Sequence, residues 1–132
     1  MDQTDLARVA DEHGVVLLLQ FGSTVSGHEH SRSDVDLAAL LADAVPSLRA
    51  LVALSADLQP FYPGRTIDLA LLNRADPLFL KKILESCRLV HGSPRRLHEL
   101  RMYAFRRYQD HRKYLALERD YVDRTVRALI PR

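Results

Sequence analysis

The chain has 132 residues, of which 47% are hydrophobic and 27% charged, as in an ordinary globular domain. These values exclude a disordered tail, a collagen-like fibre and a disulfide-stapled miniprotein, and the single cysteine, Cys87, excludes an internal disulfide. The net charge of +2 hides an asymmetry: residues 1–66 hold 4 Lys/Arg against 9 Asp/Glu, whereas residues 67–132 hold 15 against 8. An acidic front and a basic back point to nucleic acid, a phosphate-bearing ligand or an acidic partner. Asp2 and Asp5 stand where a signal peptide would want arginine, and no apolar stretch approaches the roughly 18 residues of a membrane span. A cytoplasmic protein with no membrane contact is therefore expected.

In chain order, residues 4–13 carry Leu6, Val9 and Ala10 at helical spacing, with Thr4 as the expected N-cap and Gly14 as the stop. Val15–Phe21 is a continuous apolar run too short for a helix, and it predicts a strand buried on both faces. Gly22-Ser23 ends it, and residues 24–33 read as a polar loop that starts with a helical turn. A second strand is predicted from Asp34 to Leu41, then a helix over 46–58 opened by Pro46 and closed by Pro60, Pro63 and Gly64. Thr66–Leu72 predicts a third strand. Asp76-Pro77 supplies an N-cap and a first-turn proline for a helix to about Ser86. Arg88–His91 predicts a short edge strand ended by Gly92. Residues 94–129 are helical in pattern, with a break near 109–112 that would make two helices. The expectation is one α/β domain over 1–132, with three or four strands, a core over 1–92 and a helical C-terminal arm over 93–132.

Three acidic residues interrupt apolar strands. Asp34 and Asp36 are two apart, so their side chains leave the same face of a strand. Asp68 lies between Ile67 and Leu69 in the third strand. If the two strands are neighbours in phase, all three carboxylates converge. Adjacent carboxylates repel, so a cation should hold them together, and hard oxygen ligands suit Mg²⁺, which completes its shell with water and substrate phosphates. Gly22-Ser23 directly after a buried strand offers the phosphate side: a close backbone approach, amides at a helix start, and a hydroxyl. Either feature alone is commonly no more than a turn.

Gly22-Ser23, ten residues, then Asp34-x-Asp36 resembles the signature of the polymerase-β-like nucleotidyltransferase superfamily. Asp68 in Thr-Ile-Asp-Leu-Ala-Leu-Leu-Asn stands where that family places its third carboxylate. Within the superfamily the chain is most similar to the minimal nucleotidyltransferases (MNT), the MntA-like antitoxins of HEPN–MNT pairs, well over about residues 15–92 and only in helical, Tyr- and Arg-rich character beyond. The resemblance implies the polymerase-β-like fold, a small mixed sheet with flanking helices. It implies AMP transfer from ATP with two Mg²⁺ ions, about 3.5–4 Å apart in two-metal sites generally. Asp34, Asp36 and Asp68 would be both metal ligands and catalytic residues, and Gly22, Ser23 and Thr24 the nucleotide-binding turn. Many members carry arginine where this chain has Thr24, so either Arg32 or another arginine substitutes, or the phosphates are held less tightly. The implied acceptor is a tyrosine hydroxyl on a cognate HEPN RNase toxin, with the chain acting as antitoxin. The alternatives are a small-molecule or nucleic-acid acceptor, and a non-catalytic module that neutralises its partner by contact.

The C-terminal arm, residues 95–132, holds 11 Lys/Arg and 5 Asp/Glu, with tyrosines among the arginines. It reads as an amphipathic helix pair with a charged face, or as a docking face for an acidic partner, since Tyr and Arg favour interfaces. No RNA-binding motif is visible, and direct nucleic-acid binding is not expected. His28 and His30 read as solvated loop residues or as contacts to nucleotide or partner. His13, His91, His98 and His111 read as surface residues, and no zinc-ligand spacing is present. Cys87 reads as a buried small hydrophobe, and Asn73 as a turn or cap residue or one that reaches the site.

Overall fold

In a computed structural model of the chain the described residues are 2–22 and 34–130. Ser23, Thr24, His28, His30, Arg32 and the predicted helical turn after Ser23 lie outside them. The elements in order are α1 (Gln3–Glu12), β1 (Val15–Phe21), β2 (Val35–Leu41), α2 (Leu48–Leu58), β3 (Ile67–Leu71), α3 (Pro77–Glu85), β4 (Cys87–His91) and α4 (Pro94–Leu129), with short 3₁₀ turns at Gln59–Phe61 and Leu72–Arg74.

The four strands form one sheet in the order β3-β2-β1-β4. β1 pairs antiparallel with β2 and with β4, while β2 and β3 run parallel, joined by the α2 crossover. β4 is an edge strand, as predicted. Side chains alternate between two cores, because successive strand residues point to opposite faces. Leu18, Val35, Leu37, Ala39 and Leu41 pack against Leu6 and Ala10 of α1 and Leu54 and Leu58 of α2. Leu17, Leu19 and Ala38 pack on the other face, against Leu80, Ile83 and Leu84 of α3 and Leu97 and Ala104 of α4. Helices thus cover both faces, which is why β1 is apolar at every position but Gln20.

Several local expectations are corrected. Helix α1 is capped by Asp2 rather than Thr4: Asp2 accepts from the Asp5 amide and Asp5 answers onto the Asp2 amide, a reciprocal box that also sets acid at the helix's positive end. Pro46 does not open α2; Ser47 caps it by accepting from the Ala50 amide. Asp76 caps α3 with Pro77 in the first turn, as expected. The arm is one continuous 36-residue helix, not two. Gln109–Arg112 contain no glycine or proline, and polarity alone does not end a helix. His13 and His91 are not free surface residues. Each is half-buried and meets a carboxylate, His13 Nε2 with Asp57 Oδ2 at 2.7 Å and His91 Nε2 with Asp11 Oδ1 at 3.2 Å. Cys87 is only partly buried, with the Arg101 guanidinium 3.5 Å from its Sγ.

Asn73 is structural. Its amide accepts from Leu41 N at 2.9 Å and donates to Leu41 O at 2.8 Å and Asp43 O at 3.1 Å, which ties the C-terminal end of β2 to the turn after β3. That is the end of β2 remote from Asp36. Among the described residues no helix is long and apolar enough to cross a membrane.

Candidate active site

Register decides where the carboxylates fall. In the parallel β2–β3 ladder Asp36 lies directly opposite Asp68, and in the antiparallel β1–β2 ladder it lies opposite Phe21, the last residue of β1. Asp36 alternates with Val35 and Leu37, and Asp68 with Ile67 and Leu69, all of which belong to the α1/α2 core. Both carboxylates therefore project from the α3/α4 face of the sheet. Asp34 precedes β2 by one residue and is exposed, as is Asp68, whereas Asp36 is half-buried. Burial of the Asp36 carboxyl, together with the charges of Asp68 and Asp34, raises its pKa above the usual 3.8. Among the described residues no lysine, arginine or histidine pairs with any of the three.

Gly22 closes the site from the β1 side. Its φ is +85°, and a Cβ built there would stand 2.3 Å from Asp36 Oδ2 and 3.1 Å from Asp36 Cγ. The Asp36 carboxylate thus occupies the space that a side chain at position 22 would need. Only glycine allows both the turn and the carboxylate against it. The predicted glycine and two strand aspartates are thus brought to one sheet end, with Asp34 beside them; Ser23 and Thr24 lie outside the described residues.

The donor chemistry, hard oxygens with mutual repulsion and no paired counter-charge among the described residues, fits a divalent cation such as Mg²⁺. The side chains are not drawn together into a closed cage: among the described residues no group of three or more His, Cys, Asp or Glu is gathered closely enough to hold an ion. Such an open set suits a cation that takes its remaining ligands from water and substrate.

Beside the carboxylates, on the same face of the sheet, a cavity of about 610 Å³ opens between the end of β1 and one side of α3. Phe21 and Gly22 form one wall, and Asp76, Leu78, Phe79, Lys82, Ile83 and Ser86 the other. Phe21 and Phe79 meet edge-on, with ring centroids 6.3 Å apart. Sequence reading did not single out this wall. The available signal was a helix opened by Asp76-Pro77 whose first turn carries two large apolar residues, Leu78 and Phe79; both remain exposed.

The family model described as Polymerase beta, Nucleotidyltransferase matches residues 5–96. No curated protein sequence is significantly similar to the chain. Among solved structures, a chain of a toxin–antitoxin crystallised with AMP-PNP is 21% identical, with a TM-score of 0.71 and coverage of 96% of this chain and 98% of that one. A chain of the toxin–antitoxin MntA-HepT is 18% identical (TM-score 0.60; 94% and 95% covered). A chain of the tri-AMPylated Shewanella oneidensis HEPN toxin in complex with MNT antitoxin is 20% identical (TM-score 0.64; 94% of each chain). The family match spans residues 5–96, well over half of the chain and all four strands: the chain belongs to the polymerase-β nucleotidyltransferase family.

Proposed function

We propose that this protein is an Mg²⁺-dependent protein adenylyltransferase that moves AMP from ATP to a tyrosine hydroxyl of a cognate HEPN toxin, and thereby acts as its antitoxin in the cytoplasm. The observation that carries the reading is the facing of Asp36 and Asp68 across β2–β3, beside Gly22 and one residue pair from Asp34. The similarity to chains of toxin–antitoxin complexes, one of them with an AMPylated HEPN toxin, supports the acceptor class.

In the transfer, the acceptor oxygen bonds to the α-phosphorus of ATP as the bond from that phosphorus to the β-phosphate oxygen breaks. Pyrophosphate leaves and the hydroxyl proton passes to a base. Asp34, Asp36 and Asp68 would hold Mg²⁺, which when bound screens the phosphate charge and lowers the pKa of the acceptor hydroxyl. Asp68, exposed like Asp34, would take the acceptor's proton. Gly22 lets the phosphate chain approach the backbone, and Ser23 and Thr24 would donate to the β,γ-phosphates. Catalysis of this kind is positioning plus charge stabilisation.

The contact surface for the partner is the outer half of α4. All residues from Arg112 to Leu129 are exposed, among them Leu115, Val122, Val126 and Leu129 on the side that continues the Leu97–Ala104 packing face. A basic helix bearing an uncovered apolar stripe fits an acidic partner helix.

The test is incubation of a HEPN protein, the proposed partner, with α-labelled ATP, Mg²⁺ and this protein. The expected result is label on a tyrosine of the partner, abolished by Asp34→Ala/Asp36→Ala. Equal labelling by that double variant overturns the catalytic reading. Toxin neutralisation by the variant without labelling establishes the contact-only alternative.

A further inference from the structure

Sheet order leaves β3 at one edge and β4 at the other. The Val35 amide donates to Thr66 O at 2.8 Å, which fixes the phase of the β2–β3 ladder. Backbone groups of successive residues point to opposite sides of a strand, so Asp68 and Ala70 turn theirs toward β2. Ile67, Leu69 and Leu71 turn theirs outward, and among the described residues nothing bonds to them. Edge strands are commonly blunted by basic residues, prolines or bulges. β4 has such devices: its register against β1 shifts between Leu18 and Leu19, and it carries Arg88 and His91. β3 has no register shift, no proline and no basic residue. An apolar helix flank lies beside it. In α2, Leu54 and Leu58 face the sheet, and Asp57 points toward α1, where it meets His13. Leu48 and Val52 stand about 180° and 140° around the helix from Asp57, on the flank away from α1. Helix α1 lies toward β4, where Asp11 meets His91, and α2 joins β2 to β3, so that flank overhangs the β3 edge. Leu48 is 76% and Val52 59% exposed.

We infer that this edge is a surface for a second copy of the chain: β3 pairs antiparallel with β3 of the other copy about a two-fold axis at Leu69, and the two α2 helices meet above the seam. The strand is self-complementary in this register. Ile67 opposes Leu71, and Leu69 opposes its own counterpart. These are the residues whose backbone groups face outward, so each opposed pair exchanges both of its hydrogen bonds. Asp68 opposes Ala70, so no two acids stand directly opposite. Helix spacing agrees. Neighbouring strands lie about 4.8 Å apart, and α2 lies over β2 and β3, so the symmetry sets the second α2 about 10 Å from the first, the distance at which helices pack. Leu48 and Val52 are then covered. A single extended segment of another protein would satisfy the same backbone groups and leave Leu48 and Val52 bare, so a second copy is the better fit. The inference rests on sheet topology and is independent of the transfer reading. Its consequence is two carboxylate sites side by side on one face of a shared sheet.

Sedimentation velocity of the full chain over rising concentration tests the dimer. Wild type is expected to pass from the 15.0 kDa monomer to twice that mass. Leu48→Lys/Val52→Lys sets like charges across the axis on side chains that are already exposed. The fold should stand, as circular dichroism will show, while the dissociation constant rises about tenfold or more. A second measurement needs no variant. Residue-resolved hydrogen exchange at low and high concentration should slow the Ile67, Leu69 and Leu71 amides at least about tenfold in the dimer. The Asp68 and Ala70 amides, turned toward β2, should be slow at both. A monomer at every concentration overturns the inference. So does a dimer that forms without this alternation, or that the double substitution leaves unaltered, since it joins through another surface. If the chain alone is a monomer and its outer β3 amides slow only when a HEPN protein is added, the edge belongs to that protein, and the inference falls while the proposed function stands.

Discussion

Gly22→Ala is the sharpest perturbation of the site, because two separable costs meet there. The first is conformational: φ is +85°, and an L-residue in the left-handed region costs about 1–2 kcal/mol. The second is steric: the new methyl would stand 2.3 Å from Asp36 Oδ2, and forcing an extra carbon into occupied space costs about 1–3 kcal/mol. Gly14 isolates the first cost, since its φ is +68° and a Cβ there meets nothing within 4 Å. Urea unfolding followed by circular dichroism should show Gly14→Ala losing about 1–2 kcal/mol and Gly22→Ala about 2–5 kcal/mol. The excess should disappear in an Asp36→Ala background, where the obstructing carboxylate is gone. Coupling of at least about 1 kcal/mol between positions 22 and 36 is therefore expected from the double-mutant cycle. Equal costs for Gly22→Ala in both backgrounds would refute the claim that the Asp36 carboxylate dictates glycine at position 22.

Asp36→Asn should raise the melting temperature of the metal-free protein by a few degrees at pH 7. The folded state holds the Asp36 proton more tightly than the unfolded chain does, so stability falls as pH rises from about 3.8 through the raised folded value; the gain in Asn should vanish below that window, as melting curves at stepped pH will show. Mg²⁺ should raise the melting temperature of wild type and raise that of Asp36→Asn less; equal shifts in the two would count against the carboxylates as its ligands. Asn73→Ala removes three hydrogen bonds at the far end of β2 and should cost about 1–3 kcal/mol in urea unfolding, with KM for ATP unchanged in the folded fraction. Deleting residues 113–132 removes no buried side chain among the described residues, so the melting temperature should stay within a few degrees while co-purification with the HEPN partner is lost.

The strand half of the fold was legible because period two and short apolar runs leave little choice. Val15–Phe21 is too apolar to be anything but a central strand, whereas the same-face reading of Asp34-x-Asp36 assumed a strand from Asp34, and β2 begins at Val35. What the residues left open was which strands are neighbours. Asp68 joins Asp36 only because the α2 crossover returns the chain parallel to β2 and in phase, a tertiary fact with no local signal. Helix ends were misread where two capping residues compete within a few positions, as with Asp2 against Thr4 and Ser47 against Pro46. The wall of the cavity was invisible for a different reason. Leu78 and Phe79 fit an ordinary amphipathic pattern, and only the finished packing shows that nothing in the described residues covers them.

Helix α4 also behaves as a ruler. It is unbroken for 36 residues, about 54 Å at the standard rise, and its first turns are bolted to α3, which forms one wall of the cavity. A protein seated on the outer turns would stand at a set distance and azimuth from the carboxylates, so the helix would select which hydroxyl can arrive at them. One residue inserted near position 112 would swing the outer stripe by about 100°, whereas seven would nearly restore its direction and lengthen the span by about 10 Å. Reach and bearing could thus be changed separately, without touching any residue of the site.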